Sequence, residues 1–172
     1  MPVSMGARGA FRGVMWKVGV ASLRDAVPAM RDKAGPQYLE MAEEGARVSA
    51  GTFWAGLETV KKFRSDVSRA FAEWDLIMTP SCAAQPWPAG LAYPTSIDGK
   101  PVGPRGHAIY TGWVNACGHP AMAIPSAPDA DGMPVGFQLV GDLGSEEQLL
   151  RVGQASSGAH SNGWEGPTAA TA

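Results

Sequence analysis

The chain has 172 residues, of which 45% are hydrophobic and 17% are charged, and its formal net charge is -2. A chain of this size and composition can bury a core, which excludes a disordered tail. Lys and Arg do not cluster as nucleic-acid binding requires, so we expect no nucleic-acid partner. No segment approaches the roughly 18 apolar residues of a membrane span, so we expect no membrane partner. The N-terminus does not resemble a signal peptide, and the two cysteines are expected to be free thiols in a reducing compartment, so we expect a cytoplasmic location.

The first part of the chain is the hardest to interpret. The stretch "MPVSMGARGAFRG" mixes Gly, Arg and small residues without a period, and Pro28 interrupts the short helix that "LRDAVPAMRDK" could form. Residues 1–36 are predicted to be a poorly defined N-terminal segment. At the other end, residues 159–172 are rich in Gly, Ser, Thr and Ala and are predicted to be a flexible tail. Residues 37–158 between them are predicted to be the folded part.

Two amphipathic helices are predicted at the start of the folded part. "QYLEMAEEGARVSA" has apolar residues at helical spacing, and Glu43 and Glu44 fall on its solvated face. A second helix follows Gly51. Its apolar residues recur at steps of three, four or seven and are predicted to face a core. The aromatic residues predicted to lie in that core are Trp54, Phe71 and Trp74.

Strands follow the helices. "DLIMTP" and "PAMAIP" are short apolar runs that end at prolines, and "VGFQLVG" alternates between two faces. A closing helix is predicted to start at Ser145, with Gln148 completing a capping box. The long Pro-rich loop between Ser81 and Arg105 is of the kind that lines pockets. Helices followed by strands indicate an α/β fold.

Three blocks in a fixed order resemble one family. They are "FAEWDLIMTPSCAAQPWPAG", "YTGWVNACGHPAMAIP" and "GMPVGFQLVG…EEQLL". In this order and spacing they resemble the C-terminal part of amidase-signature hydrolases. That family includes aliphatic and aromatic amidases and the amidase subunit of the amidotransferases that act on Asp-tRNA(Asn) and Glu-tRNA(Gln). The resemblance implies an α/β fold in which helices flank a mixed β-sheet, of which this chain would hold a part. Residues 37–158 would be the C-terminal portion of such an amidase-like domain.

The resemblance also implies a reaction. In the family, a serine attacks the carboxamide carbon, a lysine acting through a bridging serine activates it, and backbone N–H groups hold the oxyanion. No Gly-Gly-Ser-Ser-Gly-like stretch precedes Gln37 here. We therefore expect no catalytic residue of this Ser-Ser-Lys triad in the chain, no metal and no cofactor. The intact parent enzyme would act on a small-molecule amide, and the chain alone would be inactive.

The best candidates for a substrate-binding wall lie in the segment from Arg105 to Ala116, which is predicted to be one helix. Arg105, Ala108, Ile109 and Gly112 would share a face of that helix, and Trp113 would add an aromatic wall. The role of this segment in lining the acyl pocket is what the resemblance implies. Ordinary packing of the helix on the sheet is the alternative.

Other reactive side chains carry weaker hypotheses. Ser156 and Ser157 look like part of a serine motif, but they follow the last matched helix. Cys82 or Cys117 could be the nucleophile of a cysteine-dependent hydrolase, but small buried thiols without a catalytic role are the better explanation. The spacing of Cys117 and His119 is not that of a structural zinc site. Asn115 is expected to bond nearby backbone groups.

The sequence leaves a functional alternative of another class open. A partial sheet would expose edge strands and apolar faces, which invite pairing with another chain. The chain would then be a non-catalytic remnant or interaction protein that self-associates through these edges.

Overall fold

The structure is a computed structural model of the chain, and it describes residues 11–30 and 32–160. It contains two compact units, one comprising the residues up to Arg69 and the other the residues from Ala70 onward. The boundaries expected from the sequence, at residues 36/37 and 158/159, stay a prediction.

The first unit is helical. Its elements are a π-helical turn at Phe11–Met15, α1 at Trp16–Ala26, a 3-10 turn at Pro28–Met30, α2 at Pro36–Ala46 and α3 at Ala50–Ala70. The two helices predicted from the sequence correspond to α2 and α3. Helix α1 lies in the segment that was predicted to be poorly defined, and it ends just before Pro28, whose ring cannot continue a helix.

The contact between α1 and α2 is made by small residues. Ala21 and Ala42 are buried. A Cβ atom on Gly45 would overlap the backbone carbonyl of Lys17, so only glycine allows this approach. An ion pair between Lys17 and Glu44 spans the same contact. Glu44 is therefore partly engaged, whereas Glu43 is exposed as predicted.

The apolar stripe of α3 is narrower than predicted. Phe63 and Val67 are buried, and Phe71, just beyond the helix, is buried too. The prediction that Trp54 and Trp74 are core residues is wrong, because they are 64% and 60% exposed. Trp54 lies about 200° around the helix from the buried Gly56. Trp74 lies beyond the end of α3, where helical spacing no longer applies.

The second unit is built around a three-stranded antiparallel sheet in the order β1-β5-β4. The strands are β1 at Leu76–Pro80, β4 at Ala121–Pro125 and β5 at Gly136–Gly141. Each coincides with a strand predicted from the sequence, and the α/β class is confirmed. Every strand pair in the described part of the chain is antiparallel.

One face of the sheet is covered by the closing helix, α5, at Glu146–His160. Leu149 of α5 packs with Ile124 and Leu139 in a buried cluster, and these contacts fix the helix on β4 and β5. Phe137 and Leu139 share this face, as their alternation predicted. Val135 precedes the strand and is exposed instead.

The start of α5 differs from the predicted capping box. The Ser145 carbonyl accepts from the Leu149 N–H, so Ser145 is the N-cap residue as predicted. Its own N–H donates to the Asp142 carbonyl, however, and is not available to the side chain of Gln148. The Oγ of Ser145 donates to the same carbonyl.

The loop between Ser81 and Arg105 is more ordered than the sequence suggested. It contains a β-hairpin of β2 at Ser96–Ile97 and β3 at Lys100–Pro101. The turn residues Asp98 and Gly99 have φ values of 51° and 68°, as a two-residue turn of type I′ requires. The sequence "IDGK", which covers Ile97–Lys100, therefore forms a hairpin turn within an otherwise irregular loop.

Candidate functional site

The segment predicted to line a substrate pocket is not one continuous helix. A 3-10 turn covers Gly106–Ala108, and α4 covers Gly112–Cys117. The prediction of a single helix from Arg105 to Ala116 is therefore wrong, and Arg105, Ala108, Ile109 and Gly112 do not share a regular helical face. Gly118 ends α4 in the left-handed conformation with φ 73°, as expected for a C-terminal glycine.

Tertiary hydrogen bonds explain the break. The carbonyl of His107 accepts from the Ala83 N–H at 2.9 Å. The carbonyl of Tyr110 accepts from Nε2 of Gln138 at 3.2 Å. Both carbonyls thus accept hydrogen bonds from groups outside their own segment. In a continuous helix they would instead point along the helix axis.

The predicted wall residues differ in their accessibility. Trp113 is buried, and Ala108 and Gly112 are half-buried. Arg105 and Ile109 are exposed. No atom would meet a Cβ added to Gly112 within 4 Å, so there is open space at this position. Their role as substrate-binding residues stays a prediction.

Gln138 is the side chain that links this segment to the sheet. It lies at the centre of β5 and is only 6% exposed. Besides its bond to Tyr110, its Nε2 donates to Oγ1 of Thr79 on β1 at 3.1 Å. A buried amide of this kind is stable only when its polar atoms find partners. The alternation of the sequence predicted that Gln138 and Leu139 lie on opposite faces of their strand. It gave no sign of the hydrogen bonds that Gln138 makes.

A cavity of about 850 Å³ lies beside the end of β1. Its walls come from the loop after β1, from the β2–β3 hairpin and from the residues that enter β5. Prolines and the residues Trp87, Leu91 and Ile97 are among those that line it. The expectation that this long loop lines a pocket agrees with this geometry. None of the predicted wall residues between Arg105 and Trp113 lines the cavity.

Trp87 is held firmly in the wall of this cavity. Its Nε1 donates to the Leu91 carbonyl at 3.0 Å. Its ring also contacts the ring of His107, with the centroids 5.1 Å apart and a tilt of 48°. The cavity and the interrupted segment are therefore joined through Trp87 and through the bond from Ala83 to His107.

The first unit has a cavity of its own, of about 790 Å³. Apolar residues of α1 and α2 line most of it, and Arg24 and Lys33 also take part. Arg24 donates to Asp25, and this hydrogen bond raises the pKa of Arg24. The sequence gave no indication of this cavity, because α1 was not predicted.

Comparison with known proteins decides the family. The family model described as Amidase matches residues 5–150. The chain belongs to the amidase family. The resemblance inferred from the sequence blocks is thereby confirmed.

Individual amidase relatives are much longer than this chain. It is 36% identical over 109 residues to a subunit of the glutamyl-tRNA(Gln) amidotransferase of Prochlorococcus marinus, covering 61% of this chain and 21% of that protein. It is 30% identical over 136 residues to a putative amidase AmiD of Mycobacterium tuberculosis, covering 76% and 27%. The chain thus spans about a quarter of the length of these curated relatives.

Solved structures show the same relationship. The chain is 25% identical to a 6-aminohexanoate cyclic dimer hydrolase, with a TM-score of 0.71 over 83% of this chain and 32% of the other. It matches a crystal structure described as an amidase with a TM-score of 0.79 and 21% identity. That match covers 92% of this chain and 37% of the amidase, and it supports the shared fold.

The reactive side chains outside the wall segment have ordinary structural environments. Ser156 lies within α5 and not after it, so that part of the prediction is wrong, and its Oγ donates to the Val152 carbonyl at 2.9 Å. Cys117 is buried, and its thiol donates to the Val114 carbonyl at 3.3 Å. His119 is buried and stacks on Phe71 with ring centroids 5.1 Å apart. These contacts favour structural explanations for Ser156, Cys117 and His119.

Cys82 is the exception, because it is exposed and lines the cavity beside β1. Both cysteines are free thiols. Across residues 11–30 and 32–160, no group of at least three His, Cys, Asp or Glu side chains could hold a metal ion. Over the same residues, no helix is both long and apolar enough to cross a membrane.

Proposed function

We propose that this chain is the C-terminal part of an enzyme that hydrolyses the carbon–nitrogen bond of a small carboxamide. The match of the Amidase model to residues 5–150 carries the proposal. Relatives named for amide chemistry, such as the 6-aminohexanoate-cyclic-dimer hydrolase of Pseudomonas sp., support it. In the same proposal the protein is a truncated amidase located in the cytoplasm.

In this proposal the catalytic serines and lysine belong to residues that the chain does not contain. The Oγ of Ser156 donates to a carbonyl of its own helix, and the Oγ of Ser145 donates to a carbonyl of the turn before α5. A serine hydroxyl needs an activating base to be a strong nucleophile, and the proposal assigns that base to the parent enzyme. In this proposal the chain alone is inactive, and it contributes the β1-β5-β4 sheet, its covering helix and part of the substrate wall.

Gln138 gives the wall its position. Through Tyr110 it ties the segment Arg105–Trp113 to the central strand, and this tie sets the start of α4. A substrate-binding surface must be held to within a fraction of an ångström by its supporting residues. The proposal assigns the wall to Arg105, Ala108, Ile109, Gly112 and Trp113.

A chimera tests this function directly. Residues 37–152 would replace the matching segment of the Pseudomonas hydrolase, and hydrolysis of the 6-aminohexanoate cyclic dimer would be followed by amine release. We expect turnover by the chimera and none by the isolated chain. A folded chimera without activity, or turnover by the isolated chain that survives the double variant Ser156→Ala and Ser157→Ala, would contradict the proposal.

The open sheet edges favour a second candidate function. Within the described residues, β1 and β4 each pair only with β5, so each has an unpaired edge. Met78 on β1 is 69% exposed. Such edges promote strand pairing between molecules. A non-catalytic protein that self-associates through them would show a mass that rises with concentration in light scattering, and Met78→Lys would lower that mass.

A further inference from the structure

The cavity beside β1 has a rigid, mostly apolar wall. Proline side chains occupy several wall positions, and proline fixes its own backbone angle. Trp87 is held by its bond to Leu91 and by the ring of His107. The backbone bond from Val102 to Thr95, at 3.1 Å, extends the hairpin that forms another part of the wall. A cavity formed in advance loses little entropy on binding a ligand.

Polar side chains form about a third of the residues that line this cavity, and they are Ser81, Cys82, Gln85, Thr95, Ser96 and Asp98. Among the described residues that line it, Asp98 is the only charged one. The Oγ of Ser81 is buried without a hydrogen-bond partner in the described part of the chain. Apolar walls combined with placed polar groups are the usual form of a small-molecule site.

Each group selects a feature of the ligand. The Asp98 carboxylate attracts a cation and repels an anion. The indole of Trp87 adds to this preference, because tryptophan binds cations through its ring more strongly than other aromatic residues do. The proline, leucine and isoleucine walls favour an apolar body. The unpaired hydroxyl of Ser81 favours a ligand group that accepts or donates one hydrogen bond.

We propose that this cavity is a binding site for an organic ammonium compound with an apolar, preferably aromatic, body and one further hydrogen-bonding group. The ammonium group lies towards Asp98 and the hydrogen-bonding group lies at Ser81 Oγ. Binding itself does not depend on hydrolysis. Only the step of calling this compound the amine-bearing part of an amide substrate rests on the function proposed above.

The position of Asp98 makes a conservative test possible. Asp98 occupies the first position of the type I′ turn with φ 51°, and asparagine adopts this conformation at least as readily as aspartate. Asp98→Asn therefore removes the charge and keeps the hairpin. Asp131→Asn is the matched control, because Asp131 is exposed in another turn and does not line the cavity.

The first experiment compares benzylammonium with benzyl alcohol, which has the same body without the charge. Calorimetric titration of the full chain should show that benzylammonium binds roughly five- to tenfold more tightly, as expected for an exposed ion pair combined with a cation–π contact. Asp98→Asn should abolish this preference and Asp131→Asn should keep it. Trp87→Ala should weaken both ligands. Thermal unfolding of each variant shows whether it is folded.

The second experiment examines the hydroxyl. A ring that carries an aminomethyl group and a carboxamide at opposite ends should bind more tightly than benzylammonium. Ser81→Ala should remove that advantage and leave benzylammonium unchanged. The inference is overturned if both probes fail to bind at millimolar concentration, or if the two benzyl compounds bind equally well. Charge preference that survives Asp98→Asn would also overturn it.

The outcomes for the two proposals are separable. An active chimera combined with no ammonium preference would reject this site and leave the amidase proposal standing. Ammonium-selective binding combined with an inactive chimera would do the reverse. A third variant, Lys100→Gln, sharpens the result, because Lys100 is the exposed cation across the same turn. Its removal should strengthen benzylammonium binding by roughly twofold at low salt.

Discussion

The two units of this molecule solve the same packing problem in different ways. In the first unit, α1 and α2 approach through Ala21, Ala42 and Gly45, so backbone meets backbone. In the second unit, large side chains such as Leu139 and Leu149 fill the space between sheet and helix. The first contact therefore tolerates no added atom, and the second tolerates no missing one.

The cavities of the two units also differ in the elements that form their walls. Regular helices α1 and α2 line most of the cavity in the first unit, whereas loops and a hairpin supply the walls of the other. Loops can direct a carboxylate, a hydroxyl and an indole at one space, which the face of a helix does less readily. We therefore expect recognition to be concentrated in the irregular parts of the second unit.

The largest effect is expected where a side chain fills the core of the second unit. Leu149→Ala should lower the free energy of unfolding by about 3 kcal/mol, because it leaves a cavity among Ile124 and Leu139. The neighbouring Leu150 is 61% exposed, so Leu150→Ala should change stability by less than about 1 kcal/mol. Urea denaturation measures both. Equal losses would show that α5 does not pack as described.

A smaller loss of stability is expected in the first unit, and there it comes from added atoms and not from removed ones. Gly45→Ala should lower the free energy of unfolding by about 2 kcal/mol, because the new methyl group meets the rigid Lys17 carbonyl. Gly19→Ala on α1 is the matched substitution, and it has no atom within 4 Å of its added Cβ. It should stabilise the protein by up to about 1 kcal/mol through helix propensity. Stabilisation by both variants would refute the close approach.

The smallest effect on stability is expected at Gln138, whose side chain donates to Tyr110 and Thr79. Gln138→Ala leaves the Tyr110 carbonyl and Thr79 hydroxyl without this partner and should cost about 1 to 2 kcal/mol. Amide hydrogen exchange between Arg105 and Cys117 should also become faster, since the segment loses its tie to β5. Gln148→Ala, at an exposed position of α5, serves as the control and should leave both measurements unchanged. If amide hydrogen exchange in this segment is unchanged in Gln138→Ala, then Gln138 does not hold the segment on β5.

Much of this fold could be predicted from the sequence, because its strands and long helices bury regular stripes of residues. The strands at Leu76–Pro80, Ala121–Pro125 and Gly136–Gly141 followed from short apolar runs bounded by prolines and glycines. Helix α1 was not predicted, although Trp16, Val20 and Leu23 recur in it at steps of four and three residues. Its contact with α2 depends on small residues, which carry little hydrophobic signal in a sequence. Trp54 and Trp74 show that aromatic character alone does not place a residue in a core.

The site was less predictable than the fold. The order of three sequence blocks led to the amidase family, and a long Pro-rich loop suggested a pocket wall. The break between Ala108 and Gly112 depends on bonds to Ala83 and Gln138, which are distant in sequence. Local propensity does not include such bonds. The same holds for the buried hydroxyl of Ser81, which becomes notable only once the cavity is known.

Gln138 also determines how β5 can align with its neighbours. Residues of a strand alternate between faces, so a shift of one residue would turn Gln138 towards Ile124 and Leu149 and bury its amide among apolar side chains. The same shift would leave the Tyr110 carbonyl without this partner and would move Leu139 out of its cluster with Ile124 and Leu149. The single polar residue of the central strand therefore makes a pairing that is misaligned by one residue costly.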